Sequence, residues 1–80
     1  MSTFERTEEG LAKAYDHANW MAEFHRKPFA LYVPSADPTK YTCSIPSLVR
    51  AEDVERGTAA NLIHPDGRVE RMFQEREEPA

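Results

Sequence analysis

The stretch EEGLAKAYDHANWMAEFHRK, residues 8–27, decides the fold, because its apolar residues recur at the spacing of an α-helix. With successive residues about 100° apart, the apolar side chains here and just upstream fill an arc of roughly 120°. That arc comprises Phe4, Leu11, Ala14, Tyr15, Ala18, Met21, Ala22 and His25. The sequence therefore predicts an N-terminal amphipathic helix that packs with one side against the rest of the chain.

Both ends of this helix carry recognisable signals. Residues 2–5 match a capping-box pattern, and residues 7–9 offer a second start. We expect a frayed first turn followed by a firm helix from about Glu8. Pro28 disfavours the helical conformation in the residue before it, so the helix should end near Arg26 or Lys27.

Two large aromatic residues lie outside the apolar arc. Trp20 points roughly 180° from Leu11, and Phe24 lies about 40° beyond Trp20 on the same side. Aromatic rings at these positions need a second surface to pack on. One interpretation is that residues 34–40 or 50–56 cover the pair, and the other is that the pair contacts another molecule.

The remainder of the chain predicts strands. Residues 29–33 and 41–45 alternate in hydrophobicity and should form an antiparallel hairpin, and residues 50–56 read as a short helical turn. Residues 58–63 and 68–73 form a second hairpin through the turn residues His64, Pro65, Asp66 and Gly67. We predict an α+β fold in which the amphipathic helix packs on an antiparallel sheet of about four strands, with the helical turn between the hairpins. Residues 1–73 should form a single compact domain and residues 74–80 a charged flexible tail.

Composition narrows the class of partner and the compartment. The chain has 10 basic and 14 acidic side chains and a net charge of -4, which argues against direct binding of nucleic acid. A single cysteine, Cys43, excludes an intrachain disulfide. No segment has the pattern of a signal peptide or of a membrane span. The expectation is a cytoplasmic protein with no membrane partner.

The residue pattern predicts neither an enzyme nor a metal or cofactor site. His17 and His25 lie roughly 80° apart around the helix, and no ligands are paired at zinc-site spacing. Cys43 alternates in phase with Tyr41 and Ile45, which favours a core cysteine over a nucleophile. Neighbouring carboxylates diverge around a helix, so they do not form an acid–base pair.

The sequence thus favours a non-enzymatic module that binds another protein, as an inhibitor or an adaptor that occupies a partner surface. A partner that itself binds nucleic acid is one option, since acidic residues of this chain would compete for its site. The predicted contact centres on an aromatic pair with charged neighbours: Trp20, Phe24, His17, Lys13, Asp16 and Glu23. In general character, although not in any specific residue, the chain resembles small accessory proteins of phages and mobile elements, some of which block host or defence proteins.

Two alternatives stay open. The first is a pocket between helix and sheet, lined by Tyr15, His25, Tyr32 and Cys43, that holds a small ligand or performs simple chemistry; it would need a volume above about 300 Å³. The second is a self-associating structural subunit, a homodimer in which Trp20 and Phe24 meet their symmetry mates.

Overall fold

The computed structural model describes residues 2–73, which form one helix packed on a five-stranded antiparallel sheet. The predicted α+β class is confirmed, with five strands rather than about four. Two 3-10 turns, Pro46–Leu48 and Ala51–Asp53, take the place of the single helical turn predicted over residues 50–56. The regular elements are β1 (Ser2–Glu5), α1 (Glu8–His25), β2 (Phe29–Tyr32), β3 (Lys40–Ser44), β4 (Asn61–Ile63) and β5 (Val69–Arg71). The tail predicted over residues 74–80 lies outside the described residues.

Helix α1 begins and ends where local chemistry requires. The hydroxyl of Thr7 accepts a hydrogen bond from the Gly10 amide at 3.0 Å, which caps the first turn. At the other end, Arg26 adopts a left-handed conformation with φ 59°, and the helix ends at His25, three residues before Pro28. The predicted start at about Glu8 is therefore confirmed, and the helix ends at His25, one residue before the predicted end near Arg26 or Lys27.

The predicted frayed helical turn over residues 2–5 is wrong, because this segment forms strand β1. Ser2 to Glu5 pair in antiparallel register with Cys43 to Lys40 at the edge of the sheet. Alternate side chains of β1 turn inward, and Phe4 packs against the core beneath α1. Phe4 thus contributes to the core from a strand and not from the helix. Pairing with β3 outweighs the local capping signal, which is a weak preference.

The sheet has the order β1-β3-β2-β4-β5, with every neighbouring pair antiparallel. The two predicted hairpins, β2–β3 and β4–β5, are confirmed, and β2 and β4 join them at the centre. All four residues of β2 are buried. Burial on both faces of the central strand means that the sheet is covered on both sides.

Helix α1 covers one side of the sheet. The core on this side combines small helical residues with larger residues from the strands: Ala14, Ala18, Ala22, Phe29, Leu31, Cys43 and Ile63. Gly10 continues the row of small residues, and a Cβ atom there would collide with the carbonyl oxygen of Glu5. The helix can therefore approach the strands closely.

Residues 46–60 cover the opposite side. Ala30 and Tyr32, whose side chains alternate with those of Phe29 and Leu31, form a second core there with Val49 and Ala60. Backbone hydrogen bonds from Ser35 to Asp53 at 2.8 Å and from Glu55 to Val33 at 2.8 Å hold this connection against the end of β2. The long connection is therefore a structural layer. Within residues 2–73, no helix is long and apolar enough to cross a membrane.

Candidate functional site

Trp20 and Phe24 are exposed and stacked on each other. The two side chains are 57 % and 67 % exposed, and their ring centroids lie 5.4 Å apart with planes 9° from parallel. They stand one helical turn apart, at the i and i+4 positions that bring side chains together on a helix. The expectation that residues 34–40 or 50–56 cover them is wrong. Ala51–Asp53 and the segment that follows lie on the opposite side of the sheet, where Val54 packs against the second core.

Two histidines tie the aromatic pair to the core. The ring of His17 stacks on that of Trp20, with the ring centroids 6.5 Å apart, and contacts the ring of Phe4, with the centroids 5.5 Å apart. At the other end, His25 meets Phe24 edge-on at 5.0 Å and contacts the buried Phe29 at 5.5 Å. The exposed rings are thus the visible part of a continuous aromatic row that runs into the protein at both ends. Such a row restrains the orientation of the pair before anything binds.

The imidazole of His17 is also held by a hydrogen bond. Its Nε2 lies 3.1 Å from the hydroxyl oxygen of Ser2 in β1. Among the hydrogen bonds of residues 2–73, none links a carboxylate to the other ring nitrogen of His17. The hydrogen bond therefore positions the ring against Trp20. Within residues 2–73, the carboxylate that would orient the histidine in a nucleophile–histidine–acid triad is not present beside it.

The charged neighbours predicted for the site share the helix with the aromatic pair. Lys13, Asp16 and Glu23 are all exposed, whereas His17 is half-buried. Lys13 lies 3.9 Å from Glu9 in an exposed ion pair, which contributes little to stability. All six predicted residues therefore lie on α1, and Trp20 contacts both His17 and Phe24.

A cleft of about 270 Å³ opens beside the aromatic pair, between α1, the start of β1 and the end of β3. Its lining is mostly apolar: Ser2, His17, Met21, His25, Lys27, Pro28, Phe29, Cys43, Ile45 and Pro46. His17 and His25 belong to both the cleft and the aromatic row. The cleft and the exposed pair consequently form one continuous surface, which we call the ridge-and-cleft surface.

The pocket predicted between helix and sheet is only partly the observed one. His25 and Cys43 line the cleft, whereas Tyr32 packs on the other side of the sheet because it alternates with Leu31. Tyr15 packs against the helix-side core and does not line the cleft. Sequence reasoning missed Met21 and Ile45 as lining residues. Ile45 did carry a signal, since it alternates in phase with Cys43.

Cys43 is a core residue, as its strand pattern predicts. It is 4 % exposed and packs beneath α1. Burial raises the pKa of its thiol to about 11, so the thiol stays protonated at neutral pH. At the inner end of the cleft this side chain therefore behaves as a small neutral group.

The remaining candidates have structural explanations. His64 flanks the β4–β5 turn, with its Nε2 2.9 Å from Glu70, and Asp66 accepts a hydrogen bond from the Arg68 amide at 2.9 Å. That hydrogen bond lowers the pKa of Asp66. Within residues 2–73, no three His, Cys, Asp or Glu side chains are grouped so as to hold a metal ion.

A second, wider groove of about 1100 Å³ runs between residues 51–60 and the end of β5. Its lining includes Glu52 and Glu55 as well as Arg56 and Arg71, so it presents charges of both signs. A surface of mixed charge is a poor match for a polyanion such as nucleic acid. Of the two surfaces, the ridge-and-cleft surface is the better-defined candidate binding site, because it combines a mostly apolar cleft with the exposed aromatic pair.

Comparison of the chain with protein-family models, with curated proteins and with solved structures gave no match. The fold and the site together define a small α+β domain that displays an exposed aromatic pair beside an apolar cleft.

Proposed function

We propose that this chain is a protein-binding module that acts as an inhibitor or adaptor by occupying an apolar surface of a partner protein. The observation that carries the proposal is the exposed, stacked pair of Trp20 and Phe24. Aromatic side chains are enriched among the anchors of protein interfaces, because they bury a large area with few rotatable bonds.

The energetic scale of the pair supports this role. A Trp or Phe side chain buries about 150–250 Å² when covered, and more than half of each ring is free here. A partner that covered both rings would remove roughly 250 Å² of apolar surface from water, worth about 6 kcal/mol before the cost of association. The ordered aromatic row lowers that cost, since little side-chain freedom remains to be lost on binding.

A non-enzymatic role agrees with the chemistry of the surface. Burial raises the pKa of Cys43, so the thiol that lines this surface stays protonated. The hydroxyl of Ser2 is hydrogen-bonded to His17, which stacks on Trp20. These groups favour packing and orientation. The compartment in keeping with this proposal is the cytoplasm, where a buried free thiol such as Cys43 persists.

A peptide-display selection tests the proposal while leaving the identity of the partner open. The purified chain is panned against random peptides, and the enriched sequences are synthesised and measured by fluorescence polarisation. We expect the double variant Trp20→Ala, Phe24→Ala to weaken their binding by at least about 100-fold, the scale of a two-residue hot spot. The matched control is Val69→Ala on β5. It removes an exposed apolar side chain that lies outside the ridge-and-cleft surface, so it should leave the affinity for the peptides unchanged.

Sedimentation of the chain alone separates a partner surface from self-association. A monomer at all concentrations, with the red-shifted emission of a solvated Trp20, is the expected result. A dimer that the double variant dissociates would assign the pair to a second copy of this chain. Selected peptides whose affinity is the same in the double variant and the parent chain would also overturn the proposal.

A further inference from the structure

We infer that the partner docks through a segment that places one apolar side chain in the cleft and a carboxylate at Lys27. This inference rests on the proposed function and specifies the chemistry of the partner. Three features of the ridge-and-cleft surface support it: its continuity, the size of the cleft, and the charge at its rim.

Because the ridge-and-cleft surface is continuous, one segment of the partner can contact both the aromatic pair and the cleft. His17 contacts Trp20 and lines the cleft, and His25 contacts Phe24 and lines the cleft. A chain that packs along the exposed rings therefore reaches the cleft without a gap in the surface. Binding at the ridge and binding in the cleft are two parts of the same contact.

The size of the cleft favours a side chain over a free small molecule. Its volume of about 270 Å³ lies at the lower end of the sizes typical of small-molecule sites, about 300–1,000 Å³, and is enough for one large side chain. Met21, Phe29 and Ile45 provide apolar walls. A single large apolar side chain, desolvated in such a pocket, is the usual anchor of a protein interface.

The positive charge of Lys27 at the rim of the cleft favours a carboxylate on the partner. Among the described residues that line the cleft, Lys27 is the only acidic or basic one besides the two histidines, and Arg26, which precedes it, is also exposed. Within residues 2–73, no carboxylate lies within ion-pair distance of either side chain, whereas Lys13 is paired with Glu9. The cleft is therefore locally basic in a chain whose net charge is -4. An acidic group beside the inserted side chain would meet a complementary charge.

The backbone around Lys27 keeps this charge beside the cleft. Its amide donates a hydrogen bond to the carbonyl of Ala22 at 3.2 Å, after the left-handed Arg26. Pro28, the next residue, restricts the backbone of Lys27 to extended conformations. Lys27 is thus held at the junction of α1 and β2 by its backbone, while its ammonium group makes no ion pair with any residue from 2 to 73.

The same display selection, repeated on a charge-reversed chain, tests the inference. We expect peptides selected on the parent chain to carry an Asp or Glu within two residues of a large apolar residue. Lys27→Glu should weaken them by at least 10-fold, and peptides in which that acid is replaced by Lys should regain affinity for the variant. The matched control is Lys40→Glu, which makes the same charge change at the opposite end of β3 and should have less than a twofold effect.

A second variant tests the cleft itself. Ile45 is 48 % exposed, so Ile45→Glu should leave the fold intact while it places a carboxylate in the cleft lining. The acidic peptides should lose at least 10-fold in affinity. Peptides that depend on Trp20 and Phe24 but tolerate both Lys27→Glu and Ile45→Glu would overturn this inference and leave the proposed function standing. An enrichment of basic peptides on the parent chain would overturn it as well.

Discussion

The two faces of α1 distribute their side chains in opposite ways. The buried residues of the face on the sheet are Gly10, Ala14, Ala18 and Ala22, and Tyr15 and Met21 pack, partly buried, beside them. The outer face carries Trp20 and Phe24, which are among the most exposed large apolar side chains in residues 2–73. In an ordinary amphipathic helix the large apolar residues face the core.

This inversion shows how the core is built. The bulk on the helix side comes from the strands, through Phe29, Leu31 and Ile63, and the helix contributes a smooth surface that lets it lie close to them. Trp20 and Phe24 are therefore not needed to fill the core. They are available for contact with another molecule.

The largest expected effect comes from breaking the close approach of the buried face. Gly10→Ala places a Cβ atom against the backbone carbonyl of Glu5, which cannot move without shifting β1. We expect the free energy of unfolding to fall by about 3 kcal/mol or more, as in severe overpacking. Urea denaturation followed by circular dichroism measures it.

The control for this variant is Gly57→Ala. Gly57 has φ +80°, and apart from its two chain neighbours no atom of residues 2–73 lies within 4 Å of the place that a Cβ would take, so only backbone strain is added, costing about 1 kcal/mol. Equal losses for the two glycines would contradict the close-approach explanation.

A smaller effect is expected from enlarging one alanine of the buried face. Ala18 is 0 % exposed, and Ala18→Leu should cost about 2 kcal/mol through overpacking between α1 and the sheet. Ala12→Leu makes the same change at an exposed position of the same helix and should alter stability by less than about 0.5 kcal/mol. Thermal melts of the two variants in parallel give the comparison. If both were neutral, the alanine row would not be tightly packed.

The smallest effect on stability is expected at the outer face. The double variant Trp20→Ala, Phe24→Ala removes one exposed aromatic stack and its contacts with the histidines, worth about 1 kcal/mol. Phe29→Ala, which empties a buried position, should cost about 3–5 kcal/mol. Urea denaturation of both variants decides whether the pair is structural. A loss at the outer face as large as that at Phe29 would show that the pair stabilises the fold.

Much of the local structure could be predicted from the sequence. The start of α1 after Thr7, its end before Pro28 and the β4–β5 turn all follow from hydrogen bonds and backbone preferences within a few residues. The alternation of Cys43 with its neighbours correctly indicated a buried strand residue. The position of Trp20 and Phe24 on the side of α1 away from Leu11 was also predictable, because the helical period sets it.

The site could be predicted only in part. The aromatic pair and its charged neighbours share one helix, so the period of that helix is enough to group them. The cleft combines residues from β1, α1 and the end of β3, and Tyr15 and Tyr32 were wrongly assigned to it. Which residues line the cleft depends on which strand lies under which turn of the helix. The helical period does not specify that arrangement.

The sequence by itself determined the class of the fold, the ends of the helix and the two hairpins, because each depends on interactions between residues close in the chain. Only the tertiary structure decided that residues 2–5 form the fifth strand, that residues 46–60 cover the side of the sheet away from α1, and that Trp20 and Phe24 remain uncovered beside a cleft. Those outcomes depend on competition between distant segments for the two sides of one sheet. Local patterns do not encode the result of that competition, because burial energy depends on contacts with residues far apart in the chain.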